Sequence, residues 1–211
     1  MNILHVSSSP RGPASESHRL SQKIVDCLSR KHPSATVVSR ALGGCEIPNI
    51  DGDYAMSQQS LVDGPDMGGT MALSEALIGE LARADMLVIG TPMHNYTVPS
   101  ALKAWIDHVV RVRWTFNVTP AGKRPAVRDR PVYVAVSSGG RFLGEKARQP
   151  DFLTPYLKTI LGMIGLEDVT FFTVQGTAFG PEALAESRAR ADQAMHEHFA
   201  GIPVPDMARA G

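Results

Sequence analysis

Three short stretches carry residue types suited to holding a reactive small molecule. The first is Ser7-Ser-Ser-Pro-Arg-Gly-Pro-Ala-Ser-Glu-Ser17, crowded with hydroxyls. It lies between an apolar run, Asn2–Val6, and a segment in which Leu20, Ile24, Val25 and Leu28 recur at helical spacing, with Ser17 placed to cap the helix. A helix start presents unpaired N–H groups and a positive dipole end, and serine hydroxyls add donors, so the stretch suits a phosphate. The plainer alternative is an ordinary Ser/Gly/Pro turn with a serine cap. Arg11 adds charge or screens the mouth. Neither Gly-x-Gly-x-x-Gly nor Gly-x-x-x-x-Gly-Lys-Ser/Thr occurs, so neither a dinucleotide fingerprint nor a P-loop kinase is indicated. The second stretch, Thr91-Pro-Met-His-Asn-Tyr-Thr-Val98, is apolar and aromatic; the third, Ser137-Ser-Gly-Gly140, is small and polar.

Each stretch leaves a strand-like run. Met86–Gly90 and Val132–Val136 are apolar throughout, as expected where helices cover both faces of a sheet. Ala35–Ser39 and Asp168–Val174 supply two more strands. Helices are expected over Met71–Ala84, from Pro99 through Leu102, Trp105, Ile106, Val109 and Val110, over Phe152–Ile164 with Gly165 as terminator, and over Pro181–Phe199. Gly43–Gly69 reads as a partly helical surface excursion, Thr119–Pro131 as a loop, and Ala200–Gly211 as a loose tail. Alternating strands and helices predict an α/β fold with a parallel sheet and right-handed crossovers. Five strands with a phosphate loop after the first fit a flavodoxin-like three-layer sandwich, order 2-1-3-4-5, whose ligand sits at the strands' carboxyl ends. The three stretches converge there, around a ligand with a phosphate tail and a flat polar ring. FMN is such a ligand.

Composition sets the bounds. The 211 residues suit one domain, 1–211, and 43% hydrophobic content supplies its core. Twenty-one basic residues balance twenty-one acidic ones, which argues against nucleic acid and against a membrane surface. The apolar runs are strand-length, too short for a transmembrane helix, and no signal-peptide pattern opens the chain. Cys27 and Cys45 stand apart and read as reduced thiols of a cytoplasmic protein. The seven histidines are scattered, and His196 and His198 fall on different helix faces, so no metal site is expected.

The motifs in order resemble the FMN-dependent NADH azoreductases among the flavodoxin-like NAD(P)H:quinone oxidoreductases. They are Ser9-Pro-Arg with Ser15-x-Ser17, Pro92-Met-His-Asn-Tyr96, Leu102-Lys-x-Trp-Ile-Asp107, Arg111-x-x-x-Thr-Phe116 and Ser137-x-Gly-Gly140. Glu46-Ile-Pro48, Thr154-Pro-Tyr-Leu157, Gly162-x-Ile-Gly165 and Gly176 to Glu182 extend the likeness over nearly the whole chain. The resemblance implies that Ser9, Ser15, Glu16 and Ser17 hold the FMN phosphate. It implies Met93, His94, Asn95 and Tyr96 along one edge of the isoalloxazine, and Ser137, Ser138, Gly139 and Gly140 at its pyrimidine end. Glycines there permit close backbone approach, and backbone N–H groups stabilise charge on a reduced flavin. The flavin carries the redox chemistry, so no catalytic side chain is expected.

The implied activity is two-electron reduction of quinones and azo compounds by NADH or NADPH, with hydride entering and leaving the flavin in turn. The implied assembly is a homodimer with sites at the interface, and Tyr54 and Phe116 lie in segments able to reach a neighbour's site. An electron carrier like flavodoxin is the contrasting reading, disfavoured by the neutral charge; a flavin reductase releasing reduced FMN is a third. Glu16 stands where relatives often have Gln, and its carboxylate is expected to turn outward, leaving the backbone N–H to bind. His94 replaces a usual Tyr, Arg113 a usual Gly, and the Thr119–Pro131 loop lacks a usual Gly-Leu element. Trp105 reads as core, and Arg188 with Arg190 as a solvated helix face.

Overall fold

A computed structural model describes residues 1–44, 47–59 and 69–201. Cys45, part of the Gly43–Gly69 excursion and the expected tail beyond Gly201 lie outside them. The strands are β1 (Asn2–Ser7), β2 (Thr36–Ala41), β3 (Met86–Pro92), β4 (Phe116–Thr119), β5 (Gly122–Pro125), β6 (Val132–Ser138) and β7 (Val169–Gln175). The helices are α1 (Glu16–Lys31), α2 (Gly52–Gln59), α3 (Thr70–Arg83), α4 (Ser100–Val109), α5 (Leu153–Ile164) and α6 (Pro181–Ala200).

The main sheet is parallel with order β2-β1-β3-β6-β7. That is the expected 2-1-3-4-5 once β4 and β5 are set aside. Successive side chains point to opposite faces, so each unbroken apolar strand serves two cores. Leu4, Val6, Leu87, Ile89, Val132 and Val134 pack with residues of α3, α4 and α5, among them Leu77, Trp105 and Leu157. Ile3, Val88, Tyr133 and Ala135 face the other way, against residues of α1 and α6 such as Ile24, Leu28 and Met195. Trp105 is core, as expected.

Two expectations are corrected. Part of the Thr119–Pro131 loop is the second arm of an antiparallel hairpin, with Phe116 opposite Pro125 and Thr119 opposite Gly122. Its outer arm, Gly-Lys-Arg-Pro, is wholly exposed and has no apolar alternation to betray it; the turn is Pro120-Ala121, followed by Gly122 at φ 111°. The helix after the first loop is capped by Ser15, not Ser17. Ser15 has the extended backbone a cap requires (φ −97°, ψ 149°), whereas Ser17 already lies inside the helix. At the far end of α5, Gly165 terminates the helix at φ 110° as expected.

Candidate functional site

Backbone pairing ties the carboxyl ends of the central strands to the loops that leave them. Ser8 N–H donates to Gly90 O at 2.9 Å, Met93 N–H to Ser137 O at 2.7 Å, and Leu42 N–H to Ser7 O at 2.7 Å. The second hydrophobic core anchors α1 behind the first loop. A cleft of about 210 Å3 opens among the three loops. Eight of the twelve expected residues line it: Ser9, Ser15 and Glu16 at one end, Met93, His94, Ser137, Ser138 and Gly139 at the other. Ser17, Asn95, Tyr96 and Gly140 do not. Pro10, Arg11, Pro92 and Thr177 complete the wall.

At the first end, Ser9 and Ser15 are buried, and Ser17 has no exposed surface. The Ser15 hydroxyl donates to Gly12 O at 2.9 Å and accepts from His18 N–H at 3.2 Å, while Ser17 Oγ lies 3.5 Å from it. Helix geometry leaves the Glu16 and Ser17 amides without intrahelical acceptors. Arg11 is exposed, its Nη2 donating to Ala14 O at 3.1 Å, so it flanks the mouth.

Glu16 answers the question its charge raises. Its carboxylate accepts from Arg188 on α6 through two bonds, Nε at 2.9 Å and Nη2, and from Arg19 Nε at 3.0 Å. Arg188 foremost, with Arg19, holds the carboxyl below the usual carboxylate range, although burial pushes the other way. Arg188 is therefore not a simply solvated residue: it neutralises the carboxylate at the start of α1. Arg190 pairs with Glu186 on the exposed face, as expected of it.

At the other end, His94 and Thr97 exchange two backbone hydrogen bonds of 3.0 Å around Asn95 and Tyr96. Both central residues have positive φ, 48° and 69°, the sign pattern of a type I′ turn. For a residue as bulky as Tyr96 this conformation costs on the order of 1–3 kcal/mol. Tyr96 is 47% exposed, and its carbonyl accepts from Phe152 N–H at 3.0 Å. Gly140 is a glycine for a reason the sequence does not show. A Cβ there would lie 2.0 Å from Gln149 Oε1, so a protein side chain already fills the space. At Gly139 the nearest atom, Ala178 Cβ, would be an ordinary 3.7 Å away.

A larger hollow of about 610 Å3 adjoins the cleft, sharing Pro10 and His94 with it. Its walls are mixed, with Leu42, Ile47, Pro48, Pro99 and Ala101 beside Ser8, Asn49 and Ser100. Tyr54 and Phe116 are both buried in their own chain. The Tyr54 hydroxyl donates to Asp107 O at 3.0 Å, its ring meets His108 edge-on at 5.9 Å, and Phe116 starts the hairpin. Among the described residues no group of three or more His, Cys, Asp or Glu is arranged to hold a metal, and no helix is long and apolar enough to cross a membrane.

The cradle fits FMN in the chemistry of its donors. Free helix-start amides and buried serines suit the phosphate, and a polarisable thioether beside a small polar loop suits the ring. Sequence reasoning gave no role to Gln149, which stands in no motif, or to Thr177, which lies in the Gly176-to-Glu182 stretch, and it read Arg188 as solvated because Arg188 lies 172 residues from its partner.

A family model described as a flavodoxin-like fold matches residues 1–199. The chain is 46% identical over 195 residues to FMN-dependent NADH:quinone oxidoreductase 4 of Pseudomonas fluorescens, covering 92% of this chain and 91% of that protein. It is 45% identical over 192 residues to FMN-dependent NADH:quinone oxidoreductase 5 of Burkholderia lata, covering 91% and 93%. Among solved structures, an azoreductase of Bacillus anthracis superimposes with a TM-score of 0.84 at 21% identity, over 96% of this chain and all of that one. An FMN-dependent NADH-azoreductase of the same species, in complex with FMN, gives 0.77 at 21% identity over 94% of this chain and all of that one. At that identity the structural likeness speaks for the fold alone.

Proposed function

Because the chain belongs to the flavodoxin-like family of FMN-dependent NADH:quinone oxidoreductases, we propose that it is an FMN-dependent NAD(P)H oxidoreductase reducing quinones and azo compounds. The observation that carries this reading is the single cleft where the loops after β1, β3 and β6 meet. Bound there, FMN supplies two-electron chemistry, taking hydride from NADH or NADPH and passing it to the acceptor, twice for an azo bond.

The chain's own residues bind and orient. Ser9, Ser15, Ser17 and the amides at the start of α1 hold the phosphate, with the Glu16 carboxylate neutralised by Arg188. Met93, His94, Asn95 and Tyr96 would hold one edge of the ring, and Ser137, Ser138, Gly139 and Gly140 would hold its pyrimidine end. The room at Gly139 supports close approach of a ligand there. The adjoining hollow of about 610 Å3, with apolar and polar groups in its walls, supports room for an acceptor beside the ring. One cleft serving donor and acceptor supports a ping-pong order.

The protein is proposed as one domain, acting in the cytoplasm as a two-fold homodimer. Exposed Tyr96, Phe152 and Phe179, 47–61% accessible, support a covering partner near the site. Steady-state turnover against quinones and azo dyes, with each nicotinamide, tests the reading. Parallel double-reciprocal lines and one FMN per chain are expected. Intersecting lines would refute the ping-pong order, and purified protein with no affinity for FMN would refute the whole. Light scattering at micromolar concentration tests the assembly: a fully active monomer would overturn the shared site.

A further inference from the structure

Gln149 lies in the loop between β6 and α5, in the stretch Gly144-Glu-Lys-Ala-Arg-Gln-Pro150 that carries no motif. Its Nε2 donates to Ser138 Oγ at 2.9 Å and lies 3.2 Å from Met93 Sδ. Its Oε1 and Cδ fill the space that a Cβ on Gly140 would occupy, at 2.0 and 2.8 Å. Ser138 Oγ in turn sits 3.9 Å from Met93 Sδ. One carboxamide thus touches three of the expected flavin-site residues and bridges the loop after β3 to the loop after β6.

The surrounding backbone holds it in place. Arg148 N–H donates to Arg141 O at 2.9 Å, closing the loop. Asp151 Oδ1 accepts from Leu153 N–H at 3.0 Å and Thr154 N–H at 2.9 Å, fixing the loop to the start of α5. Phe152 N–H ties the same stretch to Tyr96 O. A side chain anchored on both sides keeps its rotamer and fixes those it contacts.

We propose that Gln149 is a positioning residue of the flavin site: its carboxamide sets the orientation of Met93 and Ser138 and the form of the Ser138–Gly140 turn, and so both affinity for the ring and the ease of its reduction. The proposal rests on the FMN assignment above. A neutral carboxamide donating to Ser138 leaves this end of the cleft without negative charge. Gln149→Glu keeps the size, removes the N–H donors and places a carboxylate where reduced flavin gathers negative charge.

The test uses the full-length protein, titrated with FMN by fluorescence and poised against redox dyes. Gln149→Leu should weaken FMN binding about tenfold, the scale of a lost hydrogen bond in a buried site. Adding Ser138→Ala to it should cost little more than either change alone, because the two act as one unit. Gly140→Ala, which displaces the carboxamide, should reproduce the Gln149→Leu affinity. Gln149→Glu should shift the midpoint potential of bound FMN downward, a change that a merely structural role would not produce. Thermal melts of the apoproteins verify folding, and the isosteric Gln149→Glu carries the test if Gln149→Leu does not fold. Wild-type FMN affinity in Gln149→Leu with an unmoved potential in Gln149→Glu would overturn the inference and leave the FMN assignment standing. Wild-type protein without FMN affinity would overturn both.

Discussion

His5 should make the protein lose stability in mild acid, before its carboxylates protonate. It sits on β1, 3% exposed, with Nε2 2.8 Å from Ser21 Oγ and its ring centroid 5.7 Å from that of His18. Burial foremost, then the His18 charge, lowers its pKa from 6.5 to about 4, against a smaller opposing pull from Asp26. A base whose folded pKa is depressed is protonated first in the unfolded chain. Stability is therefore complete above pH 6.5 and is lost as pH falls towards 4, where the loss levels off. The 2.5 pH units between those values, at 1.36 kcal/mol each, amount to about 3 kcal/mol. That is a large share of the 5–15 kcal/mol typical of a domain. Urea unfolding of the wild type and of His5→Gln, at half-unit steps from pH 8 to 4.5, isolates the effect. Glutamine has no charge to gain, and titrating groups that do not interact with His5 cancel in the difference between the two proteins. The difference should be flat above pH 6.5, then shift towards His5→Gln by up to about 1.4 kcal/mol per pH unit. Parallel curves over the whole range would refute the reasoning.

Three further outcomes concern the first loop. Arg188→Ala should leave the Glu16 carboxylate with Arg19 in place of two cationic partners and weaken FMN binding by about fivefold at most, since the pair is partly exposed; Arg188→Ala with Glu16→Gln should recover the loss in the same fluorescence titration, and failure to recover it would show that charge is not the cause. Ser15→Ala should cost about 1 kcal/mol in urea unfolding through the lost cap, and with Ser17→Ala should weaken FMN binding by roughly 1–3 kcal/mol, whereas unchanged affinity would remove these hydroxyls from the site. Gly43→Ala would bring a Cβ to 1.7 Å from Ser9 O, so the loop must move; a loss of about 1–3 kcal/mol in stability and weaker FMN binding are expected, and wild-type values for both would contradict the packing.

What could be read from the chain was whatever a local pattern encodes. Unbroken apolar runs in β1, β3 and β6 marked strands covered on both faces, and the loops directly after them followed without further information. Ser15, Met93 and Ser137 could therefore be brought to one cleft from their places after strands alone. The partners that shape that cleft left no such mark, because they come from distant parts of the chain. Arg188 looks like any helix-surface arginine until α6 packs beside α1. Gln149 is one polar residue in a charged loop, and nothing in the sequence joins it to Gly140, whose missing Cβ leaves room for its carboxamide. Nor does the sequence show that Tyr54, an aromatic in a Gly- and Asp-rich excursion, lies on α2 and donates to the carbonyl of Asp107 on α4. Local patterns thus identify groups that line the cleft, while tertiary contacts set their charge, rotamer and room.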